Sequence, residues 1–191
     1  MDHEDKWRAT LGPDLYKQTN LNVDPQMRSR IAQNTREQII TRDESLEISK
    51  LLFKDGKGHL HDSWKQGFFF DKKLKYGIYQ DQGGPCGILA TVNAFFLKHL
   101  LFGAKMPLHY LNQKNFSGQI QTCLALAISD ILYNASNDGQ TNINLVIPQG
   151  TITNKNAPIQ PHQCSKIVLS NSDDYAMIFN LVKMYLSLFN C

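Results

Sequence analysis

No two of the four cysteines, at positions 86, 123, 164 and 191, stand two to four residues apart. A structural zinc site needs that spacing, so neither a metal nor any other cofactor is expected to organise this chain. Long apolar runs are lacking as well. The N-terminus has no apolar core of a secretory leader, and no stretch approaches eighteen apolar residues. The expectation is an intracellular protein, cytoplasmic or nuclear, with reduced thiols and no membrane partner. A surplus of one charge is lacking too. Twenty Lys and Arg against seventeen Asp and Glu leave a net charge of +3. The basic residues are scattered, which argues against nucleic acid. The short cluster Lys72, Lys73, Lys75 flanks a turn and reads as a solubility feature. There are no internal repeats.

What is present is enough apolar material for one core: 42% of 191 residues are hydrophobic. Residues 1–40 are polar with little periodicity and read as a flexible or accessory segment, with the folded domain at 41–191. Thr41 and Glu44 have the spacing of a capping box, opening a short helix with Leu46, Ile48, Leu51 and Leu52. Gly56 and Gly58 mark a loop. Phe68 to Phe70 and Tyr76 to Tyr79 read as short strands around a charged turn. Ile120, Cys123, Leu124, Ala127, Ile128, Ile131 and Leu132 follow a helical period, placing Cys123 in the core. Asn142 to Ile147 and Ile167 to Leu169 are strand candidates, separated by a loop from Pro148 to Pro161. Asp173 or Asp174 would cap a last helix with Ile178, Leu181, Val182, Tyr185, Leu186 and Phe189 inward. A stripe that wide needs a cover, supplied either by these strands or by further chain.

The most informative residues are Gln80-Asp81-Gln82-Gly83-Gly84-Pro85-Cys86-Gly87-Ile88-Leu89. Gly83 and Gly84 permit a tight turn with positive φ and the close passage of a substrate backbone. Pro85 suits the first position of a helix. Ile88, Leu89, Val92, Phe95, Phe96, Leu100 and Leu101 continue that helix on one face toward a C-cap at Gly103, with Asn93, Lys98 and His99 in the gaps. Cys86 therefore stands in the first turn, where the helix dipole favours a thiolate. Free N–H groups of Cys86 and Gly87 would receive an oxyanion, with the Gln80 amide as a second donor. A small buried cysteine behind an ordinary glycine turn fits the same spacing, so the pattern alone leaves both readings open.

Four stretches extend the pattern: Trp64-Lys65-Gln66-Gly67-Phe68-Phe69-Phe70, Tyr76-Gly77-Ile78-Tyr79-Gln80, Gly83-Gly84-Pro85-Cys86-Gly87 and Phe96-Leu97-Lys98-His99-Leu100-Leu101-Phe102. Together they resemble the MINDY deubiquitinases, in the branch that carries Gly-Gly-Pro-Cys, over roughly Leu46 to Phe189. The resemblance implies an α+β, papain-like cysteine-protease fold, of which this chain would hold the N-terminal part. It implies a thiol-dependent hydrolase acting on isopeptide bonds in polyubiquitin. It matches Cys86 to the nucleophile and Gln80 to the oxyanion donor, with Gly83 and Gly84 making room for the substrate.

That family's histidine lies far downstream in a Ser-His-Phe-like stretch, and none exists here. The six histidines are His3, His59, His61, His99, His109 and His162. His99 falls on the Cys86 helix roughly 20 Å away at the usual rise per residue. The expectation is a catalytic domain cut before its base. The alternatives are a ubiquitin-binding protein without turnover, or papain-like chemistry on another substrate.

Overall fold

The computed structural model describes residues 22–53, 62–64, 67–70, 77–80, 83–104, 117–136, 142–148, 164–169 and 174–186. The Gly56–Gly58 loop, the Lys72–Lys75 cluster and most of the Pro148–Pro161 loop lie outside them.

Asp24 caps the first helix, α1 (Pro25–Asn34), accepting from the Gln26 and Met27 amides at 2.8 and 3.3 Å. Pro25 occupies the first helical position, where its missing N–H costs nothing. Strand β1 (Thr35–Ile39) follows directly. The segment before residue 41, expected to be flexible or accessory, forms a helix and a strand over residues 25–39. Val23 and Ile31 are buried, and Arg30 reaches Asp174 at 2.9 Å. The polar composition that suggested disorder belongs to an edge strand, whose residues 36–39 face solvent.

The capping box forms as expected. The Thr41 hydroxyl accepts from the Glu44 amide, and the Glu44 carboxylate accepts from the Thr41 amide, opening α2 (Arg42–Leu52). Its apolar residues are not core, however. Leu46, Ile48, Leu51 and Leu52 are all exposed, Leu51 at 86%. Ile48 and Leu51 border a groove of about 200 Å³ against the outer face of the sheet, lined also by Ile40 and Val146.

That sheet has the order β1-β3-β2 and is antiparallel throughout, with β2 (Ile143–Pro148) and β3 (Cys164–Leu169) in register Ile143↔Leu169 to Pro148↔Cys164. The period of two decides the faces. Ile143, Leu145, Ile147, Ile167 and Leu169 are buried, while Asn144 and Val146 are exposed.

Three helices complete the core. The Cys86 helix, α3 (Cys86–Lys98), buries Leu89, Val92 and Phe96 and runs into a π-turn at His99–Gly103, so Gly103 is inside the turn and Ala104 caps it. Ile88, expected inward, is 55% exposed. Averaged over Cys86–Gly103 this helical run is apolar enough to cross a bilayer, although polar residues interrupt it. Helix α4 (Ser117–Ala135) is buried on every side from Thr122 to Asp130, beyond the single stripe its period implied. Its Thr122 and Ser129 hydroxyls donate to carbonyls one turn back, so burial strands neither. Asp174 caps α5 (Tyr175–Tyr185), and Ile178, Leu181, Val182, Tyr185 and Leu186 are buried as expected; Phe189 lies outside the described residues. The wide stripe of α5 is covered by the chain itself, chiefly by α4. The described residues form an α+β arrangement, with the core helices on the buried face of a small sheet and α2 on its outer face.

Candidate active site

Pro85 has φ −76° and ψ 62°, and the Cys86 N–H donates to the Gly84 carbonyl at 2.8 Å. This is an inverse γ-turn, which sets Pro85 at the cap and Cys86 at the first helical position. The helix therefore begins one residue later than proline preference suggested. In this conformation the Cys86 amide is engaged by Gly84 rather than open to an oxyanion. The Cys86 thiol is exposed. Gln80 donates from Nε2 to its sulfur at 3.4 Å, so the expected pair is assembled. A side-chain amide on the sulfur stabilises a thiolate and stands ready beside an acyl carbon attacked there.

Gln80 is delivered by a segment held on two sides. Tyr79 N–H donates to Phe69 O at 2.7 Å in an antiparallel bridge, the remnant of the expected strand pair. Phe70 in turn packs against Phe96 of α3, the rings tilted by 48° with centroids 5.0 Å apart. On the other side Ile78 N–H donates to Asn93 Oδ1 of α3 at 2.9 Å. Among the described residues the glycine with positive φ is Gly77, at +89°, and not Gly83 or Gly84 as expected. Gly83 is exposed, and a Cβ added there would meet nothing within 4 Å, which leaves room for a passing chain.

His99, assigned to a gap of the stripe, is 1% exposed. Its Nε2 lies 2.9 Å from Asp130 Oδ2, and the Tyr175 hydroxyl donates to Asp130 Oδ1 at 2.5 Å. Lys98 Nζ is 3.7 Å from the same carboxylate. Burial pushes the Asp130 carboxyl up. The hydrogen bond and charge of His99, the Tyr175 hydroxyl and the Lys98 ammonium outweigh it and leave the group below its ordinary 3.8. His99 is thus a core residue bound to another helix. The other five histidines lie outside the described residues. Cys123 is fully buried, and burial pushes its thiol up to about 12, so it is inert, as its place on the apolar face implied. Among the described residues no group of three His, Cys, Asp or Glu could hold a metal.

Sequence reasoning missed Asn93 and Asp130. A polar residue seven positions after Cys86, on the same helix face, was the available signal for Asn93.

Fold and site together define an α+β domain presenting an exposed thiol at a helix N-terminus, with a glutamine amide on its sulfur. Residues 49–191 match the family model described as "Deubiquitinating enzyme MINDY-3/4, conserved domain", and the chain belongs to that family. It is 39% identical over 105 residues to "Probable ubiquitin carboxyl-terminal hydrolase MINDY-4" of Xenopus tropicalis, covering 53% of this chain and 14% of that one. It is 42% identical over 103 residues to the Mus musculus protein of the same name, covering 52% and 14%. To "Ubiquitin carboxyl-terminal hydrolase MINDY-3" of Danio rerio it is 40% identical over 70 residues, covering 36% and 15%. The matched region is thus about one-seventh of the MINDY-4 relatives' length. No solved structure matches.

Proposed function

We propose that this chain carries the nucleophile and an oxyanion donor of a cysteine deubiquitinase of papain-like type, acting on isopeptide bonds in polyubiquitin inside the cell. The observation that carries the proposal is the Gln80 amide 3.4 Å from the sulfur of Cys86 at the start of α3, in a chain of the MINDY-3/4 family. The Cys86 thiolate attacks the carbonyl carbon of the ubiquitin C-terminal glycine. The charge moves to the carbonyl oxygen, where Gln80 donates, and the Cys86 N–H joins it once released from Gly84. The C–N bond then breaks and the lysine amine leaves with a proton. Water hydrolyses the thioester. The proton donor is a histidine other than His99, which is bound to Asp130 in the core. Gly83 and Gly84 form the floor under the ubiquitin tail.

A second reading, ubiquitin binding without turnover, is favoured by the Cys86 N–H being occupied by Gly84. Ubiquitin carrying a C-terminal electrophile separates the two. The first reading expects a covalent adduct at Cys86 that Cys86→Ala abolishes. In a complete domain cleaving polyubiquitin, Gln80→Ala lowers the rate about 10²–10³-fold, the usual loss for one oxyanion donor. Binding with no adduct supports the second reading, and turnover surviving Cys86→Ala sinks the first.

A further inference from the structure

We infer that Asn93 is the positioning residue that holds Gln80 on the Cys86 sulfur, and that Gly77 exists to let it do so. The inference rests on the proposed role of Gln80. Asn93 stands seven residues after Cys86 on α3, two turns along the same face and about 10 Å up the axis. Its Oδ1 accepts from Ile78 N–H at 2.9 Å, two residues before Gln80. In an extended segment successive amides point to opposite sides. Tyr79 N–H is spent on Phe69 and Ile78 N–H on Asn93, so the segment is clamped from both sides just ahead of the glutamine.

Gly77 explains how the helix comes so near. Its φ of +89° is a conformation that L side chains rarely adopt. A Cβ there would lie 3.1 Å from Asn93 Oδ1, tighter than ordinary contact, and 3.4 Å from Nδ2. Both the backbone angle and the space at residue 77 are therefore fitted to the Asn93 amide. An asparagine on a predominantly apolar helix has an apolar alternative that packs as well. What leucine could not do is accept the Ile78 proton, and a partly buried amide left without its acceptor draws the segment away from the helix. Because α3 also carries Cys86, Asn93 ties nucleophile and donor to one rigid element.

The test is a double-mutant cycle on the rate of Cys86 alkylation by iodoacetamide at neutral pH, read by mass spectrometry of the Cys86 peptide. This readout needs neither a histidine base nor ubiquitin. Gln80→Ala should slow alkylation about threefold, because the sulfur loses the side-chain amide that donates to it. Asn93→Leu should slow it by the same factor, and adding it to Gln80→Ala should change nothing further. Asn93→Asp keeps the acceptor and should restore most of the wild-type rate. Gly77→Ala repeats the cycle should Asn93→Leu not fold, and thermal melting monitors each variant. If Asn93→Leu alkylates at the wild-type rate while Gln80→Ala is slow, the inference falls and the role of Gln80 stands. If the two losses multiply in the double variant, Asn93 acts on the fold rather than through Gln80, and the inference again falls. If Gln80→Ala alone is as fast as wild type, Gln80 does not act on the sulfur and this inference falls, while its part at the oxyanion is decided by the cleavage assay.

Discussion

Asp130 is 3% exposed and gathers His99, Tyr175 and Lys98 around one carboxylate, joining the end of α3 to α4 and α5. A buried charge is tolerable only with such company. Asp130→Ala removes the carboxylate that His99 and the Tyr175 hydroxyl share, and the usual loss from breaking a buried pair is about 3–5 kcal/mol, read by urea unfolding at pH 7. The pH dependence follows from the direction of the shift. The folded carboxyl is held below its ordinary 3.8, so its contribution is complete above that value and fades as pH falls through the lower folded value. The stability gap between wild type and Asp130→Asn should accordingly be flat from pH 7 to about 5 and close below 3.8. A gap unchanged at pH 3 would show that the carboxylate charge contributes nothing. Cys86 and Gln80 were legible because they lie six residues apart around a glycine turn. Asn93 and Asp130 were not, because their partners lie 15 and 31 residues away and no period links them.

Helix α2 is attached by its ends and its charges more than by its apolar face. No residue in it is buried. The Glu44 carboxyl is drawn down from 4.5 to about 2 by hydrogen bonds, first from Lys166 of β3 and then from Thr41. That tether is complete above pH 4.5 and is lost as pH falls through about 2. An element with few buried contacts opens on its own. Hydrogen exchange should therefore find α2 exchanging well before α4, and Thr41→Ala should speed exchange in α2 by about fivefold, equivalent to the ~1 kcal/mol of a lost cap, with α4 unchanged. Equal protection in the two helices would mean that α2 opens only with the whole domain. The same distinction explains what the sequence conveyed. Capping residues and periods are local signals, and they located α2, α3, α4, α5, β2 and β3. Strand β1 reads Thr-Arg-Glu-Gln-Ile and is a strand because β3 pairs with it from more than 120 residues away. Helix α1 did carry a local mark, Asp24 followed by Pro25, within a stretch whose polarity masked it.

Among the described residues of the whole molecule, large apolar side chains divide between a buried centre and an exposed set on α2, α3 and its π-turn. Phe96, Leu124, Leu126, Ile178, Phe179 and Leu181 are essentially inaccessible, while Leu51 and Phe102 are 86% and 71% exposed. The cover that α5 needs comes from within the chain, so its stripe is core and the open apolar surface lies elsewhere. Hydrophobic stabilisation follows area removed from water and the cavity left on truncation, not residue type. Phe96→Ala removes a ring that is fully buried and packed against Phe70, and should cost about 3–5 kcal/mol. Leu51→Ala removes a side chain already in water and should stay within about 0.5 kcal/mol. Urea unfolding of both variants, with the slope checked for constancy, compares them directly. A domain of this size is commonly stable by about 5–15 kcal/mol, so Phe96→Ala removes a large share while Leu51→Ala is invisible. If Leu51→Ala were as damaging as Phe96→Ala, the α2 face would be packed in solution, and the domain would have a second apolar core that its burial pattern does not contain.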